Sequence, residues 1–264
     1  SKTRMGVRTP AEVDRYLRSF TLGQQDGSIG GTGGTETLVD QADAGGRGIP
    51  RYTNEFWTAR QRQAARIHEI SYRACFKPQL PGFFIRLLTS PGDVVYDPFS
   101  GRGTTPLEAG LLGRRVCAND INPLSRILTL PRFTPPAPGE VKDRLATIPS
   151  DPAARADQDL SMFYHPDTEA EIVSLRTYLL SREQDGTADH LDRWIRMVAT
   201  NRLTGHSPGF FSVYTLPPNQ AVTPDRQIRI NKQRSQTPPY RDTKERILKK
   251  TRILTKDLTA EEKN

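Results

Sequence analysis

Apolar positions recur with helical spacing along much of the chain and run together in only a few short stretches. Residues 54–73 set Phe56, Trp57, Ala64, Ile67 and Ile70 among Arg60, Arg62, Arg66 and Glu69, which predicts a helix with an apolar side in the core. Phe83, Phe84, Leu87 and Leu88 predict a short helix entered through Pro81. Ser90-Pro91-Gly92-Asp93 breaks it, and Val94-Val95-Tyr96 reads as a buried strand. A second helix is expected over 106–112, ending at Gly113 before a strand at 115–118. Helix, strand, helix, strand is the opening of a parallel α/β sheet. The Pro-rich stretch 131–138 closes this segment. Beyond it, 169–180 and 189–203 read as amphipathic helices, the second with Leu191, Trp194, Ile195 and Val198 on one side, and a further strand is expected at 211–215.

The first fifty residues lack such periodicity and hold Gly27-Ser28-Ile29-Gly30-Gly31-Thr32-Gly33-Gly34 and Gly45-Gly46-Arg47-Gly48, so they read as a flexible glycine-rich arm. No apolar strand precedes the first cluster, and it lacks the Gly-Lys-Ser/Thr ending of a phosphate-binding loop.

Charge changes the picture at the other end. The 264 residues carry 38 Lys and Arg against 30 Asp and Glu, a net charge of +8, which favours a polyanionic partner. The excess concentrates in the tail, with Arg226, Arg229, Lys232, Arg234, Arg241, Lys244, Arg246, Lys249, Lys250, Arg252 and Lys256. Ile247, Leu248, Ile253, Leu254 and Leu258 give part of that tail a helical stripe, so it reads either as a docking helix with a solvated face or as a surface for backbone phosphates. Apolar runs fall far short of the ~20 residues of a membrane helix, and no signal segment opens the chain, so neither a membrane protein nor a secreted one is expected. Cys75 and Cys117 are too few for a disulfide scaffold and lack zinc-site spacing, which fits a cytoplasmic setting. His68, His165, His190 and His206 are scattered, and no metal is expected.

The most informative stretch is Asp97-Pro98-Phe99-Ser100-Gly101-Arg102-Gly103-Thr104-Thr105, directly after the first strand. Asp97 sits at the carboxyl end of that strand, where open α/β sheets place their ligands. Gly101 and Gly103 permit a tight turn and a close backbone approach. Thr105 is expected as the N-cap of the next helix, with Pro106 first in it and Glu108 completing a capping box. The following strand ends near Asp120, about the ~20-residue interval at which such folds place an acid on a ribose hydroxyl. Asn122-Pro123 then begins another helix. A ligand of nucleotide type is implied, yet the loop lacks the third glycine of the dinucleotide form.

The Asp-Pro-Phe-x-Gly-x-Gly-Thr-Thr signature resembles the S-adenosylmethionine loop of amino-directed DNA methyltransferases, which modify adenine N6 or cytosine N4. The resemblance implies a Rossmann-like methyltransferase sheet and a cofactor set of Asp97, Pro98, Phe99, Gly101, Gly103, Thr104 and Thr105, with Asp120 on the ribose. Phe76-Lys77-Pro78, with Phe83-Phe84-Ile85 downstream, resembles a further cofactor-contacting segment of that family, which adds Phe76 and Lys77. Methylating an exocyclic amine requires the base to leave the stack and donate its amino protons to fixed acceptors. The family does this with Asp, Asn or Ser, then Pro-Pro, then Tyr or Phe, in a turn after a buried strand. Here Thr237-Pro238-Pro239-Tyr240 follows a polar, basic stretch, so it reads as a turn beside the basic helix rather than the catalytic turn, and Leu216-Pro217-Pro218-Asn219 lacks the aromatic. The catalytic residues are left unassigned.

The expected fold is therefore an α/β methyltransferase sheet, incomplete because two or three strands are legible where an ordinary sheet has about five to six. A helical insertion and a basic C-terminal helix accompany it. The expected organisation is an arm at 1–50, an S-adenosylmethionine-binding α/β core at 51–134, a mostly helical insertion or DNA-recognition region at 135–222, and a basic, partly helical tail at 223–264. The function expected is S-adenosylmethionine-dependent methylation of an amino group in DNA, as a restriction-modification methyltransferase or its cofactor-binding portion. In that portion's case the chain would be a truncated product, or one subunit whose second polypeptide brings the Pro-Pro-aromatic turn. The alternative is a non-catalytic cofactor- and nucleic-acid-binding subunit of a split enzyme. A third reading is RNA or protein methylation on the same cofactor fold.

Overall fold

The structure, a computed structural model, describes residues 9–21, 36–57, 64–72, 75–217, 220 and 222–258. Its secondary structure is mixed, with small sheets and, among the described residues, nine α-helices. No helix among them is long and apolar enough to cross a membrane. The chain divides into two compact units.

The first unit takes Ser1–Ala64, Phe76–Pro98 and Thr104–Asn119. Helix α1 (Pro10–Arg18) starts behind Thr9, whose hydroxyl accepts the Glu12 N–H while the Glu12 carboxylate accepts the Thr9 N–H at 2.7 Å. Strands β1 (Leu38–Asp43) and β2 (Gly48–Thr53) form an antiparallel hairpin, turned through Gly45 and Gly46 at φ of 64° and 84°. Helix α1 and all of the hairpin but the last three residues of β2 lie within the stretch, 1–50, read as a flexible arm. Their strands are largely exposed, so they carry no core alternation, and only the glycine pair announces the turn. The cluster at residues 27–34 lies outside the described residues.

Helix α2 (Gln79–Leu88) buries Ile85 and Leu87, and Phe83 stands among Phe20, Phe56 and Phe84, meeting Phe20 edge-on with centroids 5.6 Å apart. Strand β3 (Val94–Asp97), helix α3 (Thr104–Leu111) and strand β4 (Arg115–Ala118) follow, and β3 pairs in parallel with β4 from Val94↔Arg115 to Asp97↔Ala118. This is the expected helix, strand, helix, strand order. The strand expected to be buried is nevertheless half open, with Val94 55% and Tyr96 59% exposed. Among the described residues β3 and β4 pair only with each other, and the face that Val94 and Tyr96 share is exposed.

The second unit takes Ala65–Cys75, Phe99–Gly103 and Asp120–Asn264. The helix expected over 54–73 is absent from its described part: residues 54–57 are irregular, and only a 3-10 turn at Arg66–His68 forms. The carbonyls a helix would use are taken by side chains. Arg132 donates to Ile67, Arg102 to Ile70 at 2.6 Å and Asn201 to Ser71 at 2.9 Å.

Helix α4 (Pro123–Thr129) is capped by the Asn122 side chain and runs into a 3-10 turn, Leu130–Phe133. Helices α5 (Pro138–Thr147), α6 (Pro166–Gln184) and α7 (His190–Arg202) form the helical region expected beyond the Pro-rich stretch. Trp194, Ile195, Met197 and Val198 of α7 are wholly buried, which makes it the central helix of the unit. Asp192, 2% exposed, ties three helices together. It accepts from Arg144 of α5 at 2.7 Å and from Arg182 and Tyr178 of α6 at 2.9 and 3.1 Å. Arg144 also pairs with the N-cap Asp189, and its guanidinium holds that carboxyl well below the usual range.

No strand forms over 211–215, where only an isolated bridge joins Gly205 and Tyr214. The Arg241 guanidinium occupies the Ser207, Phe210 and Ser212 carbonyls, so these are not free for a ladder.

The basic tail holds α8 (Pro224–Arg234) and α9 (Thr243–Leu254). Helix α9 is a docking helix, with Ile247 and Leu254 buried and the Thr251 hydroxyl accepting the Trp194 indole N–H at 3.0 Å. Part of the tail's charge is spent inside. Lys244 donates to the Ile148 carbonyl, Arg246 to that of Pro208, and burial followed by the Arg202 charge pushes Lys250 down to about 8. Arg226, Arg229, Lys232, Lys249 and Arg252 remain on the surface.

Candidate functional site

Strand β3 ends at Asp97, and the Asn119 N–H just beyond β4 donates to the Asp97 carbonyl at 2.9 Å, with the Asn119 amide on Pro98 at 3.2 Å. Parallel pairing thus brings the carboxyl ends of both strands together, at positions 97 and 118. The turn after Pro98 is tight: the Gly103 N–H donates to the Ser100 carbonyl at 2.6 Å, and Gly101 and Gly103 both take positive φ, 51° and 83°. These are conformations that L side chains rarely adopt, which is why glycine stands at both.

Helix α3 begins at Thr104, two residues before the expected first residue, Pro106, so Thr105 lies in its first turn rather than at an N-cap. Glu108 lies 3.8 Å from the Arg86 guanidinium of α2.

Asp120 is held against the turn. Its Oδ2 accepts the Gly101 N–H at 2.7 Å and its Oδ1 the Asn122 N–H at 2.8 Å. The Asn122 and Gly101 amides hold its carboxyl below its ordinary value. With the folded value depressed, the bonds are present above the ordinary pKa and lost as pH falls through the folded one. The Gly101 amide shift, followed by NMR, is expected to titrate with a midpoint below 3.8, and a midpoint above it would contradict the geometry.

Three residues that the sequence reading passed over hold the rest of the turn. Ser125 and Ser100, both buried, share a hydroxyl–hydroxyl hydrogen bond of 3.0 Å. Thr129 lies under Gly103, where an added Cβ would stand 2.9 Å from the Thr129 Cβ and nearer still to its Oγ1 and Cγ2. Arg132, 3% exposed, donates to the carbonyls of Arg102, Leu128 at 2.8 Å and Ile67 at 3.0 Å. Burial, followed by the Arg102 charge, pushes its guanidinium down to about 9, which leaves it charged at neutral pH. Positions 125, 129 and 132 repeat at helical spacing, and that is the signal that could have found them.

Beside the turn, within the second unit, lies a cavity of about 550 Å³, with Tyr72, Asn122, Phe163, Asn201, Thr204 and Gln220 among its walls. Tyr72 borders Gly101 as well, its ring edge 3.5 Å from where a Cβ would stand. Aromatic rings with amide and hydroxyl groups around them suit a planar heteroaromatic ligand with donors and acceptors on its rim.

The remaining expected residues are placed as follows. Phe99 is 86% exposed, and Thr104 is buried. Phe76, 46% exposed, and Lys77 precede α2, where the Lys77 carbonyl accepts the Leu80 N–H, and Phe83 belongs to the aromatic cluster. Thr237-Pro238-Pro239-Tyr240 connects α8 to α9 with no strand before it. The Tyr240 hydroxyl donates to Glu171 at 2.6 Å, and the neighbouring Arg241 N–H to Thr168. Pro218 and Asn219 lie outside the described residues.

No curated protein and no solved structure gave a significant match. Residues 41–125, which contain the glycine turn and Asp120, match the family model described as DNA methylase, the family whose loop signature the turn resembles.

Proposed function

We propose that the chain binds S-adenosylmethionine on a Rossmann-like framework and serves methylation of an exocyclic amino group in DNA, adenine N6 or cytosine N4, in the setting of restriction and modification. The observation that carries this reading is the turn itself: the family's nine-residue signature at a strand's carboxyl end, with glycines at positive φ and an acid on the Gly101 amide. The match of residues 41–125 to a DNA methylase model supports it.

The residues present fit such a cofactor. The Asp120 oxygens each accept one backbone N–H and keep a lone pair for a ribose hydroxyl. Asp97, Pro98, Phe99, Gly101, Gly103, Thr104 and Thr105 would form the rest of the site, with Phe76 and Lys77 as further contacts. When bound, the cofactor would supply a methyl on a sulfonium centre, which the amino nitrogen takes while shedding a proton and leaving a thioether. The exposed cations of the tail would contact DNA phosphates. Residues 51–134 would be the cofactor-binding core and 135–222 the DNA-recognition region, and the compartment would be the cytoplasm.

The position of Thr237-Pro238-Pro239-Tyr240 between two helices, with its hydroxyl engaged by Glu171, favours a base-activating Pro-Pro-aromatic turn brought by a second polypeptide. Labelled-methyl transfer to unmethylated DNA tests this. The chain alone is expected to transfer nothing above background. Transfer that Tyr240→Ala lowers by roughly tenfold or more would place the turn here instead.

A further inference from the structure

Four residues of the turn are each held by a different residue of one downstream segment. Asp120 takes the Gly101 amide, Ser125 the Ser100 hydroxyl, Thr129 lies against Gly103, and Arg132 holds the Arg102 carbonyl. Ser125, Thr129 and Arg132 lie at i, i+4 and i+7, so they share one buried face along α4 and the 3-10 turn after it. The Asp120–Arg132 segment is therefore a template for the turn, and Arg132 is the member with the longest reach. Its guanidinium joins three separate stretches of backbone, at Ile67, Arg102 and Leu128. Among the described residues none of its hydrogen-bond partners is a carboxylate: a charge is buried here against carbonyl dipoles, one of them at the carboxyl end of α4, where a cation is favoured. A buried charge is a poor source of stability, and it is retained where its fixed fork enforces one arrangement.

We propose that Arg132 is a positioning residue for ligand binding: it fixes the Arg102 carbonyl and so presents the Gly101 and Gly103 backbone in its binding-competent form. The cofactor arm of the test rests on the proposed function, whereas the loop arm does not. Lysine keeps the charge but replaces the planar fork with a point charge, so it cannot span the three carbonyls in the same way.

The experiment compares wild type, Arg132→Gln, Arg132→Lys and, as a control on the exposed side of α4, Arg126→Gln. Three readouts are taken: the thermal midpoint, amide hydrogen exchange of the 99–105 peptide without ligand, and the Kd for S-adenosylmethionine by calorimetry. Expected are faster exchange in that peptide and binding weaker by roughly tenfold or more for both Arg132 variants, with Arg126→Gln unchanged. Arg132→Lys is expected to stay folded, so its loss cannot be one of fold. Wild-type exchange in 99–105 for a folded Arg132 variant would overturn the proposal, as would unchanged affinity, and so would global unfolding of both variants, which would make Arg132 a determinant of folding alone. A wild type that binds no S-adenosylmethionine would overturn the cofactor reading and leave the exchange comparison to decide the clamp.

Discussion

Gly103→Ala is expected to weaken the turn more than any other single-methyl change within it. The residue has φ of 83°, which costs an alanine about 1–2 kcal/mol. The new Cβ would also stand 2.9 Å from the Thr129 Cβ, and crowding of this kind in a packed site costs about 1–3 kcal/mol. Relief requires the turn to lift away from α4, which breaks the spacing that Asp120 and Arg132 enforce. The measurable outcomes are a lower thermal midpoint and loss of ligand affinity together. Gly103→Ala combined with Thr129→Ala removes the contacts to the Thr129 Oγ1 and Cγ2 but keeps the Cβ–Cβ contact of 2.9 Å and the φ strain, so it is expected to recover only part of the loss. Full recovery by the double variant would show that neither the remaining contact nor φ carries a cost here.

The second large effect is expected far from the turn. Asp192→Ala leaves Arg144, Arg182 and Tyr178 without their shared acceptor at a site 2% exposed, and removing one partner of a buried pair costs about 3–5 kcal/mol. Asp189, partly exposed and paired with Arg144 at 2.7 Å and Arg182 at 3.7 Å, is expected to cost less when replaced by alanine, about 1–2 kcal/mol for its cap and pairs. Chemical denaturation of the two variants checks the order. Equal midpoints would mean that Asp192 does not pin α5, α6 and α7 together.

The turn was legible in the sequence because its chemistry is local: a strand end, two glycines, a helix start and an acid about one βαβ interval later. Helix positions beyond it were legible through strong periodicity, as with α7, whose N-cap Asp189 and apolar residues Trp194, Ile195 and Val198 stand in order. What failed was whatever depends on remote side chains. The pattern at 64–72 looks helical, yet Arg102, Arg132 and Asn201, from distant parts of the chain, take its carbonyls. The stretch 211–215 looks like a strand, yet Arg241 holds the carbonyls of Phe210 before it and Ser212 within it. The hairpin β1–β2 escaped for the opposite reason, since exposed strands need no apolar alternation. Ser125, Thr129 and Arg132 were readable only as a helical stripe, and a stripe of polar residues acquires meaning once the turn above it is placed.

Calorimetric titration of the chain with S-adenosylmethionine tests the central claim most directly, with Asp120→Ala titrated beside it. Saturable binding is expected for the wild type, weakened by roughly tenfold or more in Asp120→Ala, because the carboxylate both orders Gly101 and faces the ribose. No heat from the wild type at millimolar cofactor, or equal affinity in the variant, would contradict the assignment of this turn as a cofactor site.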